Sequence, residues 1–323
     1  MFNEPWLGDV LKYGLINIAS SCTLSAINNA LYFILGWQAS LNHFLQYFTV
    51  FVVLFVFYWF NCIQPHAISF RDILPLAFTQ LGVVMCTSLI LSTGTDGSVY
   101  TLRLSDFLVT ILVLVAAAPY LDSTSRPNQS RKPLLIATAV FASLAWLESG
   151  KLDGYVVGYF TAPLLAVFEA IHFVLYFKTQ QRLKCDSNLL LLYTSGLTSI
   201  LLLFPAFIFT SDDFTKDMKG LEASETIDYV LITLCMVFTL GMTYSKYWLI
   251  SNITPESYVA FRHVKYTLAA LGQWFLQGIV YASLASIAGR IGAVVGLGYY
   301  FHLRYTALQN GESPAASFLT SIK

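Results

Sequence analysis

Charge is scarce in this chain. Of 323 residues only 11% are Asp, Glu, Lys or Arg, against about 25% in a soluble globular domain. The 18 basic and 18 acidic residues cancel, so the chain lacks the basic surface that a nucleic-acid binder needs. Cysteine is sparse as well. Cys22, Cys62, Cys86, Cys185 and Cys235 are scattered, with no CxxC and no Cys/His cluster, which excludes a disulfide framework and a zinc site. There is no GxxxxGK[ST] loop, hence no P-loop ATP-driven pump, and neither HExxH nor GxSxG occurs. The His and Asp cluster that marks a membrane acyl- or phosphotransferase is missing too. No enzymatic activity and no cofactor are expected. Met1 to Asp9 holds Glu4 and Asp9 but no Lys or Arg, unlike a cleaved signal peptide. The first membrane helix is expected to serve as the signal.

What the chain does have is apolar length. It is 56% hydrophobic with a mean hydropathy of +0.64. A helix crosses a bilayer with about 20 mostly apolar residues, and ten stretches qualify: 10–35, 40–62, 71–92, 99–121, 132–150, 155–178, 188–210, 226–250, 256–279 and 283–304. The two-residue alternation of a membrane barrel is absent. The fold class expected is an all-α integral membrane protein of ten transmembrane helices. With the N-terminus in the cytosol, eleven Lys and Arg residues fall on the cytosolic side (Lys12, Arg71, Arg126, Arg131, Lys132, Lys178, Arg182, Lys184, Lys246, Arg304 and Lys323). Four fall opposite (Lys151, Lys216, Lys219 and Arg290). That bias follows the positive-inside rule and predicts two cytosolic termini, with 306–323 as a cytosolic tail. The acidic loop from Ser211 to Asp228 lies on the other side. The sequons Asn128-Gln129-Ser130 and Asn252-Ile253-Thr254 are then cytosolic and expected to be unglycosylated.

Against this background, one segment stands out: Ser257-Tyr258-Val259-Ala260-Phe261-Arg262-His263-Val264-Lys265-Tyr266. Cations at membrane depth are costly and mark a functional site by default. The segment echoes Ser98-Val99-Tyr100-Thr101-Leu102-Arg103-Leu104-Ser105-Asp106-Phe107, 159 residues earlier. A second echo, at an offset of 144, aligns residues 25–33 with 169–177. Both pairings shift by five helices. Five is odd, so the halves 10–150 and 155–305 must be oppositely oriented within a single transmembrane domain. Such inverted repeats occur in secondary transporters, with the solute site at the midplane between halves.

Arg262 and Lys265 are three apart and share a helical face, a disposition suited to an anionic solute: Arg supplies a planar fork and Lys a point charge. The alternative is snorkelling, or pairing with a buried acid. His263 points elsewhere and reads as a packing residue. Arg103 and Asp106, the matching pair in helix four, suit either a mutual structural pair or a gate. Glu169, three before His172, is a partner for Arg262, Lys265 or Arg103, or else a proton carrier. Tyr193, Thr194 and Ser195 on helix seven, and Asn28 and Asn29 on helix one, either join helices or touch solute. Tyr258 is among the aromatics able to stack on a base or sugar ring. Gly289, Gly292, Gly296 and Gly298 read as a small-residue packing face.

The chain resembles the drug/metabolite transporter superfamily and, within it, the nucleotide-sugar transporters. The resemblance covers about 10–305. It rests on the ten-helix inverted pattern, on Ile73-Leu74-Pro75-Leu76 in helix three, on Thr254-Pro255 reaching Val264-Lys265 in helix nine, and on Gly289-Arg290-Ile291-Gly292 through Gly298-Tyr299-Tyr300 in helix ten. GDP-mannose transporters carry FYNN in helix seven and GALNK in helix nine. The matching stretches here are Leu192-Tyr193-Thr194-Ser195 and Phe261-Arg262-His263-Val264-Lys265, so only Tyr193 and Lys265 match. The resemblance implies that these two contact the nucleotide sugar, while the lost asparagines do not imply guanine.

The expectation is a multi-pass antiporter of the Golgi or endoplasmic reticulum. It would exchange a cytosolic nucleotide sugar for a lumenal nucleoside monophosphate at a site formed by Lys265, Arg262, Tyr193, Ser195, Arg103, Tyr258, Asn28 and Glu169. Exchange coupling follows if the empty carrier, with uncompensated cations, reorients slowly. Two alternatives stay open: a phosphorylated-metabolite or other organic-anion carrier of the same superfamily, and a non-transporting membrane protein that binds a partner. Lipid is the surrounding partner, no nucleic acid is expected, and the sequence leaves a homodimer open.

Overall fold

The computed structural model describes residues 5–31, 39–93, 109–110, 112–113, 116, 156–210, 226–253, 258, 260–265, 267–268 and 284–309. Among them there are helices and short connections and no strand. The long helices are α1 (Pro5–Asn29), α2 (Ala39–Trp59), α3 (Phe70–Thr93), α4 (Val156–Leu183), α5 (Ser187–Thr210), α6 (Thr226–Asn252) and α7 (Leu284–Gln309). Six carry a stretch long and apolar enough to cross a membrane: Gly8–Asn28, Ala39–Trp59, Phe70–Ile90, Phe160–Leu183, Ser187–Phe207 and Ile227–Asn252. At 1.5 Å per residue, 21 residues match a hydrocarbon core of about 30 Å. The protein is thus a multi-pass membrane protein. Helix α7 covers the tenth expected segment. The described residues of 99–121 and 256–279 are helical. The segment 132–150, the residues Arg103, Asp106 and Asn128, and most of the loop after Ser211 lie outside the described residues.

The helix ends follow from local chemistry. Ser69 precedes α3, its Oγ accepting from Arg71 N and its carbonyl from Asp72 N. Asp186 caps α5, Oδ1 accepting from Asn188 N, and Asp72 places negative charge in the first turn of α3. Both satisfy amides that a helix start leaves open. Two exits bend through the left-handed region without glycine, at Asn61 (φ 57°) and Lys184 (φ 48°).

The chain forms two compact units, and each draws on both halves of the sequence. One comprises Met1–Ser92 with Leu175–Ser251, the other Thr93–Val174 with Asn252–Lys323. In the first unit, α1 and α6 meet along an antiparallel seam. Tyr13 stacks on Trp248 at 4.1 Å, Asn17 donates to Ser245 Oγ and to the Met242 carbonyl, and Ser20 abuts Gly241. Leu24, Ile27 and Leu31 close the series against Cys235. The α1 positions advance by four or three, which is how helices interlock at a small crossing angle.

Small residues set the closeness of these contacts, as in membrane bundles generally. A Cβ on Gly241 would lie 2.7 Å from Ser20 Oγ, and one on Gly196 of α5 would lie 2.8 Å from the Phe51 ring of α2. Gly298 differs from the sequence expectation: nothing approaches within 4 Å of a Cβ built there, so at this position the α7 glycine is not a close-packing site. Lower in the unit, Tyr176 packs on Tyr247 at 4.6 Å and donates to the Ser187 carbonyl. Gln80 bonds Tyr47 and accepts from Tyr247. Arg182 pairs with Asp72 at 2.5 Å, which brings the start of α3 to the end of α4.

Candidate functional site

The second unit holds the charged centre. Residues 258, 260–265 and 267–268 are helical, with Tyr258, Ala260, Arg262, His263 and Thr267 buried and Lys265 half-buried. Two contacts join this segment to α4. Tyr258 stacks on Phe173 with rings 5.2 Å apart and 16° from parallel. Four residues on, Arg262 Nη1 lies 2.7 Å from Glu169 Oε2, four residues before Phe173. The partners run in opposite directions along the two helices, so the pair is antiparallel.

Both charged side chains are below 10% exposed. The second guanidinium nitrogen, Nη2, donates to Thr110 Oγ1 at 3.2 Å. The approach of Nη1 to Oε2 is an ion contact whose angles fall short of an aligned hydrogen bond. The fork thus touches a carboxylate and a hydroxyl, and an aromatic stack lies four residues away along both helices. Such a set can hold a phosphate or carboxylate beside a planar ring.

Of the three cations that the sequence offers to Glu169, the structure pairs it with Arg262. Pairing was among the readings open for Glu169, and the 2.7 Å contact bears it out, so Arg262 is a compensated charge. His263 is buried beside Arg262, as a packing residue would be. Thr110 was not singled out in the sequence, since one threonine in an apolar run carries no signal of its own.

The first unit holds a different kind of centre. Asn28 Oδ1 accepts from Asn42 Nδ2 at 3.1 Å, from Gln46 Nε2 at 3.2 Å and from the Cys235 thiol at 3.4 Å. Gln46 also approaches Cys235 Sγ at 3.0 Å and bonds His43 Nδ1 through Oε1 at 3.0 Å. All five residues are buried. The cluster lies where α1 passes into a wider turn at Ala30 and Leu31, a distortion that recurs at functional positions. Asn28 was a candidate from sequence, but Asn42, His43 and Gln46 were not. Their i, i+4 spacing at the start of an otherwise apolar helix was the available signal.

Tyr193 and Ser195, both on α5, face different surroundings. Tyr193 is 38% exposed and lines an apolar groove of about 480 Å³ with Phe44, Phe48, Phe51, Gly196 and Ile200. Ser195 is buried and donates to the Leu192 carbonyl of its own helix at 3.1 Å. Thr194 does the same toward Leu190. In the turn between α4 and α5, burial pushes the Cys185 thiol up and Asp186 adds to the shift, so this cysteine is not poised as a nucleophile.

No family model matches this sequence. In fold, the chain is similar to a protein of known crystal structure at a TM-score of 0.62 and 12% identity, over 90% of this chain and 96% of that one. At that identity the likeness concerns the fold alone.

Proposed function

We propose that this protein is a transporter of phosphate-bearing organic anions, and specifically a nucleotide-sugar antiporter of the Golgi or endoplasmic reticulum membrane with cytosolic termini. The observation that carries the reading is Arg262, a guanidinium buried in an apolar helical segment against the Glu169 carboxylate and the Thr110 hydroxyl, four residues on from the Tyr258–Phe173 stack. An intramembrane cation facing protein groups is a functional site by default, and the fork geometry suits phosphate oxygens.

Ten helices in two inverted repeats is the architecture proposed with it. Expected helices two and three lie in one unit with seven and eight, their counterparts five helices on. The ranges of four and five lie with nine and ten in the other. Phe51 meets Gly196, 145 residues further on, close to the 144-residue echo. Gly196 is next to Ser195, the position which that echo pairs with Phe51, and a contact between near-counterparts agrees with a two-fold axis between repeats. The antiparallel α1–α6 seam, and the shared membrane face of the start of α3 and the end of α4, agree with the same order. In this reading the halves rock around the site, Arg262 and Lys265 hold phosphate, and Tyr258 offers a stacking face.

A second reading, a phosphorylated-metabolite carrier, is favoured by helix seven. There Tyr193 lines an apolar groove and Ser195 bonds its own backbone, so neither presents a polar edge to a nucleobase. Liposomes containing the purified chain and preloaded with single nucleoside monophosphates separate the readings. Accelerated uptake of one labelled nucleotide sugar is expected, and Lys265→Ala should abolish it without loss of folding. Uptake of phosphorylated sugars alone points to the second reading. Failure to move any of these solutes excludes both.

A further inference from the structure

We infer that Glu169 is a built-in counter-anion for Arg262: the phosphate of the solute displaces it from the guanidinium, and the released carboxylate takes up a proton. The inference rests on the transport reading above and adds a proton to it. Three observations carry it. The pair is buried on both sides, yet its 2.7 Å contact lacks an aligned hydrogen bond. Arg262 is anchored independently through Nη2 to Thr110, so the fork keeps its place when Glu169 leaves. And a buried ion pair is a poor source of stability, because desolvation offsets its attraction. An apolar pair would hold these helices equally well.

The charge accounting is simple. Guanidinium and carboxylate sum to zero before the solute arrives. Once phosphate occupies the fork, the buried carboxylate loses its guanidinium counter-charge, and burial then favours its protonated form. It therefore takes one proton from hydronium or a buffer acid: one carboxyl O–H bond forms, the donor's own bond to that proton breaks, and the donor's conjugate base returns to solvent. Around Glu169, the titratable and charged groups on the described elements are His172 on its own helix, and Tyr258, Arg262, His263 and Lys265 on the facing segment. Thr110, on the third element, does not titrate. Arg103 and Asp106, seven and four residues before Thr110 in the sequence, lie outside the described residues. The two histidines are the competing proton acceptors, and the test must separate them.

The sign follows from linkage. The anion-bound state holds one more proton, so anion affinity rises as pH falls and declines by up to about tenfold per pH unit as pH rises, the limit for one linked proton. Calorimetry on the purified full-length chain reads this directly. UMP, GMP, CMP and inorganic pyrophosphate are titrated in two buffers of different ionisation enthalpy. For the nucleotides the range is pH 7 to 8.5, above the second phosphate ionisation at about 6. Wild type should take up about one proton per nucleotide bound. Glu169→Gln, a neutral stand-in for the protonated acid, should take up none, bind more tightly than wild type at pH 8.5 and lose its pH dependence. Glu169→Asp should keep proton uptake and, with wild type, decides the matter if Glu169→Gln fails to fold. A carboxylate needed only to join helices predicts weaker, not tighter, binding by Glu169→Gln. Wild-type binding without proton uptake overturns the counter-anion role alone. Uptake that survives in Glu169→Gln and disappears in His172→Gln or His263→Gln also overturns it. Failure of wild type to bind any probe overturns the transport reading and this inference together.

Discussion

In one unit, Asn28, Asn42, Gln46, His43 and Cys235 share a set of neutral hydrogen bonds. In the other, Arg262 and Glu169 face each other as full charges with Thr110 as the third member. Both satisfy polar groups buried in a membrane protein, but they tolerate damage differently. A neutral network has several donors per acceptor, so one deletion leaves substitutes. In the ion pair two full charges offset each other, and removing one takes a buried counter-charge from the other. The first arrangement suits a joint between helices. The second suits a place where an anion from outside can substitute for the resident one.

The sharpest way to break this contrast is Arg262→Ala. It takes the guanidinium from the buried Glu169 carboxylate and should cost about 3–5 kcal/mol, seen as a large fall in thermal midpoint in detergent. The double variant Arg262→Met with Glu169→Leu should recover most of that loss while remaining inactive. Full stability in Arg262→Ala would show that the pair is not the sole means by which the charge is satisfied. Next comes shape rather than polarity. Gly196→Val forces side-chain carbon into the Phe51 ring and should cost about 1–3 kcal/mol. Phe51→Ala in the same chain should relieve part of it, and an unchanged midpoint for Gly196→Val would mean that α2 and α5 can separate freely. The smallest effect belongs to the amide cluster. Asn42→Ala leaves Asn28 with its Gln46 and Cys235 donors and should cost only about 0.6–1.7 kcal/mol, the range for single hydrogen bonds between membrane helices. A loss equal to that of Arg262→Ala would erase the distinction between the two centres.

The sequence was most legible where the signal is an average over many residues. Six apolar helices stand within a few residues of the expected ranges, because about 20 consecutive apolar residues leave little other outcome. The charged centre was legible in part. Arg262 and Glu169 were conspicuous as charges in apolar runs, but three cations were open to one acid, and it is the antiparallel fit of Phe173 with Tyr258 that brings Arg262 to it. Thr110 and the α2 amides were not legible. Single Thr, Asn and Gln residues are common in membrane helices, and their meaning depends on which neighbour they face. Gly298 shows the converse error: glycine spacing suggested close packing, yet spacing cannot reveal whether a neighbour is present.

The α1–α6 seam has a consequence for how the chain is made. Asn17 on α1 finds its partners 225 and 228 residues later, and Asn28 finds the Cys235 thiol 207 residues later. At about 5–20 residues per second of synthesis, α1 waits roughly 10–50 s in the membrane before α6 emerges to receive it. During that interval its amides have no α6 groups to bond. The seam therefore closes late in synthesis, and α1 must carry its buried amides through that interval without the partners that hold them in the folded protein.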